Sequence, residues 1–229
     1  HICLQDKWRM KLTDMLRQSV DTLWEKEFNH PFVQGIADGT LPQKKFQYFM
    51  KQDYLFLVEF SRSIALAIGK SRTLKEMEWL SHLLNETLQT EMSLHVEYCE
   101  EVGISREDLL ATASSPATIG YTNHLIKTAY SLTSLATEVA ILPCCWSYAE
   151  IGRKLKDIET ADNKPYLSKW IALYSAEDFW NLSTELRRLI DDQAPHIDKL
   201  EERQLMEIFL KSTHYEYQFW QAAYTLQTW

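Results

Sequence analysis

Apolar residues recur at helical spacing along nearly the whole chain, and glycine, proline or a capping residue stands where the pattern stops. Met10, Met15, Leu16, Val20, Leu23 and Trp24 predict a first helix from Lys7 to Glu27. The stretch from Phe28 to Pro42 breaks it with Pro31, Gly35, Gly39 and Pro42. A second helix runs from Pro42 to about Lys70, with Phe46, Phe49, Met50, Phe56, Leu57 and Phe60 among its apolar residues. Asp53 falls on that apolar side, between Phe49 and Phe56. Thr73 and Glu76 have the spacing of a capping box and open a third helix, which Gly103 ends. Ser105 begins a short turn, and the small residues from Ala111 to Ala117 read as a loop. A fourth helix starts at Gly120–Tyr121 and reaches about Tyr130; a fifth runs from Ser134 to about Lys156. A polar loop around Ala161–Pro165 precedes a sixth, Ser175 caps a seventh that ends near Pro195, and a last, aromatic-rich helix runs from Lys199 to Leu226. Strand alternation, internal repeats and linkers are absent. The pattern predicts an all-α fold, a single-domain helical bundle over residues 1–229.

Composition sharpens this picture in three ways. With 229 residues, 45% of them hydrophobic, the chain can bury a substantial core, and only six glycines and six prolines argue against a turn-rich β fold. The net charge is −8 and no Lys/Arg stripe follows any helix, so binding of nucleic acid by phosphate neutralisation is not expected. No apolar run approaches the roughly 18 residues of a membrane span, and no signal segment is evident; no membrane partner is expected. Four cysteines (Cys3, Cys99, Cys144 and Cys145) make no disulfide framework in a chain this long, which points to a reducing, cytoplasmic compartment.

The densest chemistry lies between Ile141 and Gly152, where adjacent Cys144 and Cys145 follow a proline and are flanked by Trp146 and Tyr148. A proline within a helix removes a backbone hydrogen bond at a cost of about 3 kcal/mol, so Pro143 predicts a kink just before Cys144. Cys144 and Tyr148 share a face, whereas Cys145 points about 100° away and is expected to be packing. A thiol here is either a nucleophile in an aromatic pocket or simply a small buried apolar residue. Asp53 among phenylalanines is costly unless a partner satisfies it or it faces a ligand. Glu216 shares a helix face with Phe219. Asp53, Cys144 and Glu216, each set among aromatics on a different helix, suggest one pocket for a flat heteroaromatic ligand. Glu86, Glu91 and His95 raise the question of a carboxylate metal site. The Glu91-x-x-x-His95 spacing is one residue longer than the helical di-metal signature and has no second copy, so these residues are read as a capped, solvated face and no metal is assigned.

Several stretches, taken in order, resemble the TenA/THI-4 family of thiaminase II or aminopyrimidine aminohydrolase enzymes. They are His30–Pro42, Gln52–Asp53, Glu91-Met-Ser-Leu-His95, Ser115–Pro116 with Tyr121–His124, Leu142-Pro-Cys144 with Trp146 and Tyr148–Gly152, Tyr166–Tyr174, and Tyr215-Glu-Tyr-Gln-Phe-Trp220. The resemblance implies a haem-oxygenase-like bundle without haem or any other cofactor, assembled as a homotetramer. It implies that Cys144 is the nucleophile, that Asp53 and Glu216 are the pocket acids, and that Tyr121, Tyr148 and Tyr174 line the site. Phe219 stands where the family stacks an aromatic on the pyrimidine. Phe56 departs from the pattern, because several relatives carry tyrosine there. The implied reaction turns aminomethylpyrimidine, or thiamin itself, into hydroxymethylpyrimidine. Two other readings are a non-catalytic pyrimidine-binding or regulatory protein and a helical metal oxidase of the same fold, which would need a fuller ligand set.

Overall fold

The computed structural model describes residues 10–229, so Cys3 and the expected start of the first helix at Lys7 lie outside the described residues. Every regular element among the described residues is helical. In chain order they are α1 (Leu12–Ser19), α2 (Asp21–Phe28), α3 (Pro31–Ala37), α4 (Gln43–Ile68), α5 (Leu74–Asn85), α6 (Met92–Glu101), α7 (Arg106–Ala111), α8 (Pro116–Ser131), α9 (Ser134–Ile158), α10 (Pro165–Tyr174), α11 (Glu177–Gln193) and α12 (Lys199–Thr225). A π-helical turn, Glu86–Glu91, joins α5 to α6. Among the described residues no helix is long and apolar enough to cross a membrane.

The long amphipathic helices lie close to where periodicity puts them, and the differences have local causes. The expected first helix is two, because Val20 (φ −121°, ψ 11°) leaves helical geometry; the break lets Leu12, Leu16, Val20 and Trp24 all bury. Residues 31–37, expected as a break, form α3: Pro31 at its first turn lacks only an N–H that would have no helical partner there. Helix α8 begins at Pro116, inside the expected loop, for the same reason, with the Ser115 hydroxyl accepting from Thr118 N at 3.2 Å. At α5 Thr73 caps Glu76 N as expected, but the Glu76 carboxylate reaches back to Arg72 N, one residue beyond the reciprocal capping-box partner. Gly103 (φ 82°) ends α6 in a Schellman arrangement, with Ile104 N donating to Cys99 O and Gly103 N to Glu100 O.

Helix α9 is the axis of the molecule. It packs against α3, α4, α8, α10, α11 and α12, and it runs through Pro143 without a break. Trp220 of α12 is fully buried beside it, stacked on Phe49 of α4 (ring centroids 5.3 Å) and Tyr148 of α9 (5.1 Å). Such aromatic pairs contribute about 0.5–1.5 kcal/mol each beyond the area they bury. They fix α4, α9 and α12 side by side, and these three helices carry Asp53, Cys144 and Glu216.

Candidate active site

Between Ser134 and Ala149 every residue of α9 is buried except Cys144, which is half-buried. The exception marks where the helix meets a narrow chamber. Asp53 and Phe56 of α4, Glu91 of the π-helical turn, Cys144, Cys145 and Tyr148 of α9, and Tyr174 of α10 all line it. Both cysteines border the chamber, Cys145 as the more deeply buried of the two. The Cys145 thiol beside it, its enclosure, and the Glu216 and Glu91 carboxyls together push Cys144 well above the ordinary thiol range. No lysine or arginine lines the chamber to oppose them. Cys144 accordingly rests as a thiol.

Asp53 is buried, and desolvation pushes its carboxyl up to about 7. Its Oδ2 lies 3.4 Å from Nδ1 of His95, while Nε2 of His95 is 2.7 Å from the Met50 carbonyl. A carbonyl only accepts, so Nε2 carries the hydrogen. Burial holds His95 down at about 4, which leaves a neutral ring with an Nδ1 lone pair facing Asp53. This is an orienting contact rather than an ion pair. It overturns the reading of Glu91 and His95 as a solvated face: His95 is buried and Glu91 lines the chamber. The π-helical turn is the cause, since its extra residue rotates everything after it by about 100° relative to a regular helix. Desolvation and the nearby Asp53 carboxyl push Glu91 to about 8.

Glu216, Tyr121 and Phe219 are not among the residues that line the chamber; Tyr121 and Phe219 pack against its Phe56 wall, and Glu216 is near enough to Cys144 to raise its thiol. The Phe56 ring lies 4.9 Å from that of Tyr121 and 6.0 Å from that of Phe219. Tyr121 donates its hydroxyl to Glu216 Oε1 at 2.6 Å. Burial pushes Glu216 up to about 8, against the lowering effect of that hydrogen bond and with a further push from Asp53. Gln52 sets Tyr121 in place by joining α4 to the start of α8: its Oε1 accepts from Ser115 N (3.0 Å) and Thr118 Oγ1 (2.6 Å), and its Nε2 donates to Ala113 O (3.0 Å). On the opposite side the rings of Tyr148 and Tyr174 meet at 5.1 Å. Gly152 makes that possible, because a Cβ there would sit 2.4 Å from the Tyr174 carbonyl carbon.

One acid was placed on the wrong face by the sequence reading and another escaped it. Glu91 was hidden by the π-helical turn. Glu27 of α2 is fully buried with neither carboxyl oxygen in a hydrogen bond. Burial, then the neighbouring Glu216, pushes it well above the ordinary carboxylate range; the Trp220 indole and Ser147 hydroxyl act in the other direction without closing to hydrogen-bond geometry. Its signal was the one that exposed Asp53, an acid on an apolar face, here following Leu23 and Trp24. Among the described residues no three His, Cys, Asp or Glu side chains converge as a metal-binding set.

Outside the chamber a groove of about 680 Å³ runs between α5 with the π-helical turn and α10 with α11. Glu91, Thr87, Tyr174 and Phe179 line groove and chamber alike, so the groove is the way in.

The profile of the TENA/THI-4/PQQC family matches residues 17–226. An aminopyrimidine aminohydrolase of Halalkalibacterium halodurans is 40% identical over 220 residues, covering 96% of this chain and 98% of that protein. A solved structure described as a TenA family transcription regulator, from a Silicibacter species, is 32% identical with a TM-score of 0.88, covering 94% of this chain and 97% of that one. A domain of unknown function with a heme oxygenase-like fold, from Shewanella denitrificans, aligns at a TM-score of 0.76 over 96% of this chain and 94% of that one; at 18% identity it speaks to the fold alone.

Proposed function

Because the chain belongs to the TENA/THI-4/PQQC family, we propose that it is an aminopyrimidine aminohydrolase of the thiaminase II type. Its substrate is 4-amino-5-aminomethyl-2-methylpyrimidine or thiamin, and its product is hydroxymethylpyrimidine. The observation that carries the reading is the single opening in the buried face of α9, which presents Cys144 to a chamber of aromatic walls and carboxyls.

Cys144 adds through sulfur to an electron-poor ring carbon. Glu216, protonated at neutral pH, gives its proton to a ring nitrogen and takes up the thiol proton in exchange, so that neither a free thiolate nor a full ring charge accumulates. Asp53, steadied by His95, accepts from the exocyclic amine and orients the ring. With aromaticity broken, the ring electrons expel the group on the neighbouring methylene. Water then adds to that methylene, and sulfur departs with its proton as the ring becomes aromatic again. Phe56, backed by Phe219, supplies an apolar face for the ring, and Tyr148 and Tyr174 close the opposite wall. The working form is a cytoplasmic homotetramer on this reading, a point that light scattering after size exclusion would test.

Turnover of the aminomethylpyrimidine beside thiamin, with hydroxymethylpyrimidine measured as product, tests the assignment. The regulatory description of one relative favours a second reading, a pyrimidine-responsive regulator. Tight pyrimidine binding with no product from either substrate would establish that reading and sink the enzyme. A net charge of −8 with no basic stripe argues against direct contact with DNA in either case.

A further inference from the structure

The reaction proposed above makes two proton demands that Cys144, Asp53 and Glu216 leave unmet: the amine needs a proton as it leaves, and the attacking water must lose one. Both events occur at the exocyclic methylene, on the side where the leaving group has room to depart. The groove between the π-helical turn and α10–α11 supplies that room, and one carboxyl stands where groove and chamber join. Glu91 lines the groove, the chamber that holds Cys144, and the small cavity beside Asp53 and His95. A π-helical turn, rather than a regular one, turns it inward.

We propose that Glu91 is a further catalytic residue, the general acid for the departing amine and then the general base for the incoming water. The inference rests on the aminohydrolase reading. In the first step the carbon–nitrogen bond breaks with its electron pair going to nitrogen, the Glu91 carboxyl proton passes to that nitrogen, and ammonia leaves through the groove. Glu91 is then a carboxylate facing the cationic methylene adduct. In the second step a water oxygen bonds to the methylene carbon as Glu91 takes one of its protons. The carboxyl is restored, and the net change is amine plus water to alcohol plus ammonia. Desolvation and Asp53 keep Glu91 protonated at neutral pH, the state the first step requires.

Thiamin separates the two roles, because its thiazolium departs as a neutral ring and needs no proton. Glu91→Gln keeps the size of the side chain and removes the proton. With the aminomethylpyrimidine its turnover should fall by about 100-fold or more, the usual scale for acid–base catalysis. With thiamin it should release roughly one thiazole per active site in a fast burst and then stall before water addition. Turnover of both substrates within about threefold of wild type would overturn the role. So would loss of the thiazole burst in a variant whose circular dichroism and melting are native, since that result marks a merely structural residue. Should Glu91→Gln fail to fold, Glu91→Asp keeps the acid at a shorter reach; it should retain the thiazole burst yet lower amine turnover, and unaltered amine turnover would count against the proposal. A wild-type chain inactive on both substrates would remove the aminohydrolase reading and this role with it, whereas an active wild type with an unaffected variant removes the role alone.

Discussion

The Tyr121 hydroxyl and Glu216 Oε1 are 2.6 Å apart, joined by a hydrogen bond between α8 and α12 in which the phenol donates. The bond occupies one carboxyl oxygen; on the proposed mechanism the other serves a ring nitrogen. It also favours the ionised carboxylate, so burial and Tyr121 pull Glu216 in opposite directions. Removing the donor leaves burial unopposed. Tyr121→Phe should therefore raise the Glu216 pKa above about 8 and move the alkaline limb of the kcat profile to higher pH. The pH dependence of kcat checks this, and a limb that stays in place or moves down would separate Tyr121 from the acid.

Asp53 and Glu216 should each be costly to neutralise. On the proposed mechanism Asp53→Asn loses an acceptor for the exocyclic amine, and Glu216→Gln loses the proton shuttle between sulfur and ring nitrogen. Each should lower kcat by about 100-fold or more with folding intact. The two should differ in KM, since Asp53 orients the ring in the ground state while Glu216 acts mainly as charge develops. Near-native turnover in either variant would take that residue out of the mechanism.

The neighbouring thiols make a sharper comparison because both cysteines border the chamber. Cys145 is buried at 4% exposure, whereas Cys144 is the half-buried member of the pair. Cys144→Ser should all but abolish turnover while the pyrimidine still binds, because a hydroxyl is a far weaker nucleophile. Cys145→Ala removes the contact that heads the causes of the raised Cys144 pKa. Turnover should stay within about tenfold of wild type, and alkylation of Cys144 should proceed at lower pH. Titrating the rate of iodoacetamide labelling in Cys145→Ala decides the second point; an unchanged or higher apparent pKa would show that Cys145 does not hold the proton on its neighbour.

Sequence periodicity exposes elements whose apolar stripe is regular and whose ends carry their own chemistry. Helix α12 was expected from Lys199 to Leu226 and runs Lys199–Thr225, because Asp198 caps its first turn and the aromatic stripe is unbroken. Asp53 was legible as an acid among phenylalanines. Glu91 was not, because a π-helical turn leaves no mark in a pattern read with a period of 3.6, and every residue beyond it is assigned to the wrong face. Helix α3 was missed for a related reason: proline at the first position of a helix and proline in a loop look alike until the chain around them is known. The partner of Asp53 is equally a tertiary fact. His95 is separated from it by the whole of α5, and only the packing of α4 against α6 brings the two within 3.4 Å.

Glu27 gives the clearest test of how burial is balanced in this core. It bears the full desolvation penalty, with no hydrogen bond to either oxygen and Glu216 as an acidic neighbour, so its folded-state pKa lies well above the ordinary value. A carboxyl raised on folding binds its proton more tightly in the native state than in the unfolded one. Stability is then unaffected below the ordinary carboxylate range and falls as pH rises through it toward the folded value. Asp53, Glu91 and Glu216 act in the same direction, with folded values of about 7, 8 and 8. The wild-type protein should therefore melt at a lower temperature at about pH 8 than at about pH 5. Glu27→Gln removes one of these penalties without changing the volume of the side chain. It should raise Tm at about pH 8, by about 2–4 °C for each kcal/mol regained in a chain of this size, and alter it little at about pH 5. Thermal melts of both proteins at the two pH values make the comparison. A Gln variant that is less stable at the higher pH would mean that Glu27 is held ionised by the Arg17 charge, and that the buried carboxyl is a stabilising partner rather than a cost.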